Sequence, residues 1–415
     1  MRLSRAWLIA LSILVACTPG PTTPASQPHA DPYTFLEGRL RPWPAGAKGS
    51  EIAITDIKTG RVAIYDSALV ALVALRHGKR ARAASILSAM AQMQRDDGSL
   101  PFSFALPTPE PNRLYVRSGA LAWVGYAAVE YLDSERGGPA REAIAKLAHR
   151  AAKYLTDHQV AAPGDPRDGL VRGGAGTIRY DIVRGVPREV FIPGEIPWVS
   201  IEHNVDTYFF LRGLARLTQN TQYEEAAKRI GQALVDRGWN AVRGQLVQGI
   251  AESETDRALA LDCASWGSLL YQAVGQRERA ETAASIADGR YASRDPRSSA
   301  RGHLPYASGP ILEDATLMRH YAKTIPAPTW DRVEAVWPEG SAGVALAALR
   351  TGRRERARAI VDSLEPLRAA DGSLPTFTLE VPFTFDTDPS IAGTAWVELV
   401  KFELGEGRNA TFWVP

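Results

Sequence analysis

From about Tyr65 onward the chain alternates two kinds of helical segment, and this alternation restricts its architecture more than any single motif. Segments 67–77, 118–132, 205–218, 264–274, 341–351 and 390–404 are rich in Ala, Gly and Leu and poor in charge. Segments 79–95, 140–158, 222–237, 276–288 and 353–370 are amphipathic and heavily charged. A helix apolar all round belongs inside a fold, whereas one with a charged face borders water. The chain therefore reads as helical hairpins, each with one inner and one outer helix, and the sixth outer partner is missing or irregular. Links within hairpins are short (Gly78, Gly137-Gly138-Pro139, Gln219-Asn220, Gly275, Gly352), and links between hairpins are long and aromatic. All inner helices then run in one direction, with their N-termini opening onto the elaborated face.

An internal repeat agrees. Asp97-Gly98-Ser99-Leu100-Pro101 returns as Asp371-Gly372-Ser373-Leu374-Pro375, and the pairs Gly78/Gly352 and Ser67/Ser341 keep the same spacing. The hairpins at the two ends of the chain are versions of one unit, as expected for hairpins arranged in a ring. Each Asp-Gly follows an outer helix, where glycine is the usual stop.

Formal net charge is +2 and basic residues are interspersed with acids, so no nucleic-acid stripe is present. Two cysteines, Cys17 and Cys263, give no disulfide framework. Cys263, between Leu261-Asp262 and Ala264-Ser265-Trp266, reads as a small core residue. At the N-terminus, Arg2 and Arg5 precede a short apolar run that closes in Leu14-Val15-Ala16-Cys17. That is a signal-peptide pattern rather than a membrane span. The last four residues resemble the lipobox of bacterial lipoproteins, which implies cleavage before Cys17 and lipid attachment to its sulfur. Thr18, by the enterobacterial sorting rule, favours the outer over the inner membrane. The expected division is residues 1–16 signal peptide, 17–50 lipidated cysteine and Pro/Ser/Thr-rich tether, and 51–415 a single domain. The expected location is the cell envelope, as a lipid-anchored monomer.

The pattern resembles the (α/α)6 toroids of the six-hairpin glycosidase superfamily. It is also similar to bacterial secreted proteins with segments matching Tyr65-Asp66-Ser67-Ala68-Leu69, Glu202-His203-Asn204-Val205-Asp206, Trp337-Pro338-Glu339-Gly340-Ser341-Ala342 and Thr394-Ala395-Trp396. The likeness runs from about Val62 to Trp413. It implies an all-α toroid of inner apolar and outer amphipathic helices. Such toroids host hydrolases, lyases, epimerases and cyclases, so the reaction has to be argued from the site.

The start of each inner helix should line the mouth of the ring. Those starts offer Tyr65 and Asp66, Tyr115 and Arg117, Glu202 with His203 and Asp206, Asp262, Trp337 and Glu339, and Asp388. Part of this acidity has a plain cause, since acids suit helix N-termini. Glutamate is a poor N-cap, however, so Glu202 and Glu339 call for another reason. Asn204 and Tyr208 complete the cluster at the third inner helix. The long loops add Trp198, Trp330, Trp337, Phe102, Phe104, Phe377, Phe383 and Phe385, either as flat platforms for sugar rings or as a second core. Gly173-Gly174-Ala175-Gly176 lacks the context of a phosphate loop, and the histidines do not pair at metal spacing. No cofactor or metal is expected.

Two carboxyls across an aromatic cleft are the minimum for glycoside hydrolysis. The first expectation is a lipid-anchored glycosidase with Glu202 and Glu339 as catalytic pair and Asp66 and Asp262 in reserve. His203, Asn204, Asp206, Tyr208, Tyr65, Tyr115, Arg117, Trp198, Trp337 and Asp388 are the expected substrate-binding residues. A polysaccharide lyase is the alternative, with Tyr208, Tyr115 or His203 as base and Arg117, Arg179 or Asn204 neutralising a uronate. A non-catalytic glycan-binding or envelope-assembly lipoprotein is the third reading. No DxDD run supports a cyclase.

Overall fold

The computed structural model describes residues 29–44, 49–106 and 114–405. Cys17 and the signal segment lie outside the described residues.

Six inner helices form a closed ring: α2 (Ile64–Arg76), α4 (Ser118–Ser134), α6 (Ile201–Thr218), α8 (Leu261–Ala273), α11 (Pro338–Arg350) and α13 (Ile391–Gly405). Each packs against the next, and α13 packs back against α2. Five of them are followed by an outer helix laid against them: α3 (Arg80–Met93), α5 (Arg141–Asp157), α7 (Thr221–Ala233), α9 (Arg277–Arg290) and α12 (Arg354–Leu364). The remaining helices are the short α1 (Pro32–Gly38) and α10 (Ala315–Tyr321). The fold is an (α/α)6 toroid, as the two helix types foretell. Leu72, Leu121, Leu214, Leu269 and Leu346 of the inner ring are all buried, while Lys146, Arg229 and Arg356 of the outer ring face water. Arg82 is half-buried instead, because its guanidinium is caught between Glu37 and Glu51.

The links inside hairpins are tight. Gly78, Gly275 and Gly352 make the turn in left-handed backbone, with φ of 70°, 77° and 80°, and Gln219 does so at 56°. Every inner helix thus points its N-terminus to the face that carries the long loops.

One expectation needs correction. The tether does not extend to residue 50. Asp31 caps α1 through Tyr33 N (3.0 Å), and Tyr33, Phe35, Leu36, Leu40 and Trp43 are buried. These apolar side chains bring α1 against α13 and α2, where it occupies part of the missing sixth outer position. The loops, moreover, are not purely irregular. Gly174–Val183 pairs antiparallel with Val186–Ile196, and Val116–Arg117 adds a third strand. The two-residue alternation of Ile178, Tyr180 and Ile182 with Arg179 and Asp181 carries that strand signal.

A second, smaller core underlies the loops. It contains Leu304, Ile311, Leu312, Leu317, Trp330, Phe377 and Val381. Trp330 and Phe377 are therefore structural, whereas Trp198 and Phe383 remain exposed.

Candidate active site

The inner helices start at one level, so equal positions along them form layers. The second residues are Tyr65, Gly119, Glu202, Asp262, Glu339 and Ala392. One turn deeper, the sixth residues are Leu69, Trp123, Asp206, Trp266, Gly343 and Trp396. Positions four apart on a helix share a face, so the first layer lies directly over the second. The upper layer carries the chemistry, and the lower one is an indole floor. Trp396 lies 5.4 Å from Trp123 and 5.1 Å from Trp266, ring centre to ring centre. Gly343 makes room for this floor, since a Cβ there would stand 2.4 Å from the Trp266 ring. Gly119 does the same above it, against the His203 ring.

One hydrogen-bond chain has a fixed direction. Trp396 Nε1 can only donate, and it donates to the Tyr65 phenol oxygen at 2.6 Å. The phenol proton therefore goes to Glu339 Oε1, 2.7 Å away. Tyr65 and Glu339 are themselves 274 residues apart, so they occupy equivalent places in the internal repeat. Asp206 is held from below by Trp266 Nε1 at 3.0 Å and by Trp123.

A cavity of about 470 Å³ opens beside this layer, between the mouths of α6 and α8. Glu202, His203, Asp262, Trp198, Trp337, Tyr306 and Phe385 line it, with Gln248, Glu254, Asp256 and Glu313 farther out. Glu339 and Tyr65 are half-buried and outside that lining, and the Glu202 charge reaches Glu339. Among the described residues lining the cavity there is no lysine or arginine. His203 adds no charge, because burial, helped by Arg117, lowers its pKa to about 4. Carboxyls gathered without a cation resist ionisation. Burial pushes Glu202 up to about 7. Burial raises Glu339 to about 8, with Asp66 and Glu202 adding repulsion and the Tyr65 hydrogen bond working against it. Asp262 and Asp206 are raised well above the carboxylate range by burial first and by Glu202 next.

The expected residues divide. Glu202, Asp206, Asp262, Glu339, Tyr65, His203, Trp198 and Trp337 come together. Asn204 does not join them: it is fully buried and exchanges hydrogen bonds with both Val171 backbone groups and with Ser200 O, so it is a strut. Tyr208 is two residues past Asp206, about 200° round the helix, and points outward beneath Arg212 (3.3 Å) and Gly231. Asp66 is buried on another face of α2, where Thr55, Arg61 and Arg39 moderate a pKa that burial raises to about 6. Asp388 pairs with Lys58 at 2.6 Å on the outer rim, both side chains exposed. Tyr115 and Arg117 line a separate depression, the guanidinium donating to the carbonyls of Val116 and Gly176 (3.0 and 2.7 Å). Arg179 is on the exposed hairpin with Asp181. The residues not foreseen are Trp123, Trp266 and Trp396 as a floor, Tyr306, and the outer acids. The shared sixth position of the three tryptophans is the signal that locates the floor. Among the described residues, no group of three or more His, Cys, Asp or Glu side chains is arranged to hold a metal ion.

A larger depression, about 770 Å³, lies at the opposite end of the ring, lined by Tyr208, Arg212, Arg216, Glu130 and the start of α7. Its acid faces a cation, Arg76 Nη2 to Glu130 Oε2 being 3.0 Å.

No family model and no curated protein matches the sequence. Solved structures do match the fold. A glycosidase superposes with a TM-score of 0.59 at 12% identity over 90% of this chain and 95% of its own. An alpha-amylase from Clostridium perfringens gives 0.55 at 11% identity, over 91% and 97%. A D-mannose isomerase gives 0.58 at 11% identity, over 89% and 97%. These similarities establish the toroid, which serves more than one reaction, so the chemistry rests on the residues above.

Proposed function

We propose that the protein is a glycoside hydrolase acting on an uncharged oligo- or polysaccharide, with Glu339 as general acid and Glu202 as the carboxylate opposite it. One observation supports this reading above the others. The mouth of the ring holds a glutamate fixed on one oxygen by Tyr65 and a second glutamate within electrostatic reach of it, both with a pKa raised by burial. The phenol donates to Oε1, so the acid's own proton belongs on Oε2, from where it passes to the glycosidic oxygen as the bond breaks. Glu202, ionised, meets either the anomeric carbon or the water that attacks it. Burial, and after it the Glu202 charge, raises the Asp262 carboxyl and favours its protonated form. It is thereby a donor to a sugar hydroxyl. Trp198, Trp337, Tyr306 and Phe385 provide the apolar faces that pyranose rings stack on.

Among the described residues the cavity wall carries no lysine or arginine, which disfavours a uronate and with it the lyase reading. We also propose that the protein is exported and anchored through Cys17, on the outer membrane in preference to the inner, and its glycan would be met at the envelope. Loss of membrane partitioning or of processing in Cys17→Ser tests the anchor.

The functional test is a screen of the fragment starting near Ala30 on neutral polysaccharides and aryl glycosides, followed by Glu202→Gln and Glu339→Gln. Each substitution is expected to cut turnover at least about a hundredfold while glycan binding persists. Near-normal turnover in both rejects the pair, and binding without turnover in the wild type leaves the non-catalytic lectin-like reading. Anomer-resolved NMR of the first product decides between retention and inversion.

A further inference from the structure

Beside the cavity lies a depression of about 850 Å³ between the strand hairpin 174–196 and the loop 380–386. Phe385 lines both, so the two spaces meet around its ring. We infer that this depression is a binding groove for the continuation of a glycan chain whose end occupies the cavity, and that Phe383 is its stacking platform. The inference rests on the glycan reading of the cavity.

Phe383 carries the argument. Its backbone φ is 60°, in the left-handed region that non-glycine residues seldom adopt. Pro382 precedes it, and Thr384 N bonds to Val381 O at 3.0 Å, which closes a four-residue turn. Position three of such a turn normally carries glycine. Here it carries a large aromatic that is 50% exposed. The turn is locked below by reciprocal hydrogen bonds between Val381 and Phe385, 2.8 and 2.9 Å. Packing does not explain the ring, because the adjacent small core is already filled by Phe377, Trp330 and Val381, all almost wholly buried. Strained backbone that displays an apolar ring to water is the kind of outlier that points to function.

The neighbours fix how the ring is displayed. Tyr180 of the hairpin meets it edge-on at 5.0 Å, and Tyr321 of α10 lies 5.9 Å away. Arg61 and Arg117 face Asp56, Glu189, Glu380 and Asp386 in this groove, two cations against four acids, so both signs are present with an acidic excess. An uncharged polyhydroxylated chain suits aromatic walls with mixed polar partners. A polyanion does not.

The test uses Phe383→Gly, which relieves the backbone, and Tyr180→Ala. In affinity electrophoresis, wild-type protein is expected to be retarded by at least one neutral polysaccharide among soluble mannan, starch, xylan and mixed-linkage glucan. Phe383→Gly should lose most of that retardation with an unchanged or higher Tm. Where the screen yields turnover, the ratio of kcat/KM on a hexasaccharide to that on an aryl monoglycoside should fall at least tenfold in each variant. Failure of hydrolysis alone leaves the electrophoretic readout standing and so rejects only the catalytic roles. Equal losses on long and short substrates, unchanged retardation in Phe383→Gly, or no retardation of the wild type by any of the four polymers would each overturn the groove.

Discussion

The two ends of the helical ring treat the same functional group in opposite ways. At the rear, where the inner helices finish, buried acids meet guanidinium groups: Glu130 with Arg76 at 3.0 Å and Glu403 with Arg350 at 2.6 Å. Arginines also cover helix-end carbonyls there, as Arg141 does at Leu132 O (2.7 Å) and Arg212 at Ala273 O (3.5 Å). At the front, Glu202, Asp206, Asp262 and Glu339 share one layer and the one beneath it, and their hydrogen-bond partners are a phenol and indoles. Helix dipoles favour this polarity, with cations at the C-terminal ends and acids at the N-terminal ones. The dipole alone, however, would keep the front acids ionised. Their burial, and after it their mutual repulsion, does the opposite. Burial raises Glu130 at the rear as well, but there Arg76 and Tyr126 work against it, whereas at the front no guanidinium does.

Exchanging the treatment at either end should break the contrast. The largest effect is expected at the front, where Glu339→Gln and Glu202→Gln each lower kcat at least about a hundredfold with Tm at pH 5 nearly unchanged. The counterpart at the rear is Glu130→Gln. It leaves Arg76 without its anion and should cost about 1–3 kcal/mol in denaturant unfolding while kcat stays within about twofold. A rear substitution that abolished turnover, or a front one that only unfolded the protein, would cancel the distinction.

Tyr65→Phe sharpens the comparison by removing the larger of the two hydrogen bonds, from Tyr65 and Trp337, that work against the raised Glu339 pKa. Turnover should drop roughly tenfold, the low end for a misplaced general acid, and the alkaline limb of the pH profile should move upward. The wild-type profile should itself be bell-shaped. Activity rises as Glu202 ionises near about 7 and falls as Glu339 loses its proton near about 8. Stability carries the same signature with a definite sign. A carboxyl whose pKa is raised on folding binds more protons folded than unfolded, so its deprotonation destabilises the fold as pH climbs from the ordinary glutamate range to about 8. The smallest expected effect follows: Glu339→Gln should reduce the fall in Tm between pH 5 and pH 8 by a few degrees.

The ring was legible in the sequence because burial writes itself as composition. Leu72, Leu121 and Leu346 sit in segments with almost no charge, and the Asp-Gly-Ser-Leu-Pro repeat fixes the equivalence of Leu72 and Leu346. Glu202 and Glu339 were legible because glutamate has no capping reason to sit where it does. Asn204 and Tyr208 were not, since their neighbours in sequence say nothing about which way the side chain turns. Asn204 bonds to Val171 across 33 residues, and Tyr208 differs from Asp206 only by rotation about α6. Asp66 and Asp388 found partners, Thr55 and Lys58, that lie in the first long segment and are invisible to helix periodicity. The strand hairpin hid inside a loop whose glycines drew attention away from the alternation beyond them.

The short helix α1 has a consequence for how the molecule is made. It precedes the other described helices, yet it packs against α13, near the other end, and Ala30 N bonds to Ala370 O at 3.0 Å. This helix therefore has no complete docking surface until α13 exists. Contacts of such sequence separation slow folding, because a long loop must close before they reward it. During synthesis, the earlier hairpins can assemble successively while Tyr33, Phe35 and Leu36 wait as an unburied latch. A circular permutant that joined α1 directly behind α13 would turn this last, long-range step into a local one, and the ring should then close faster.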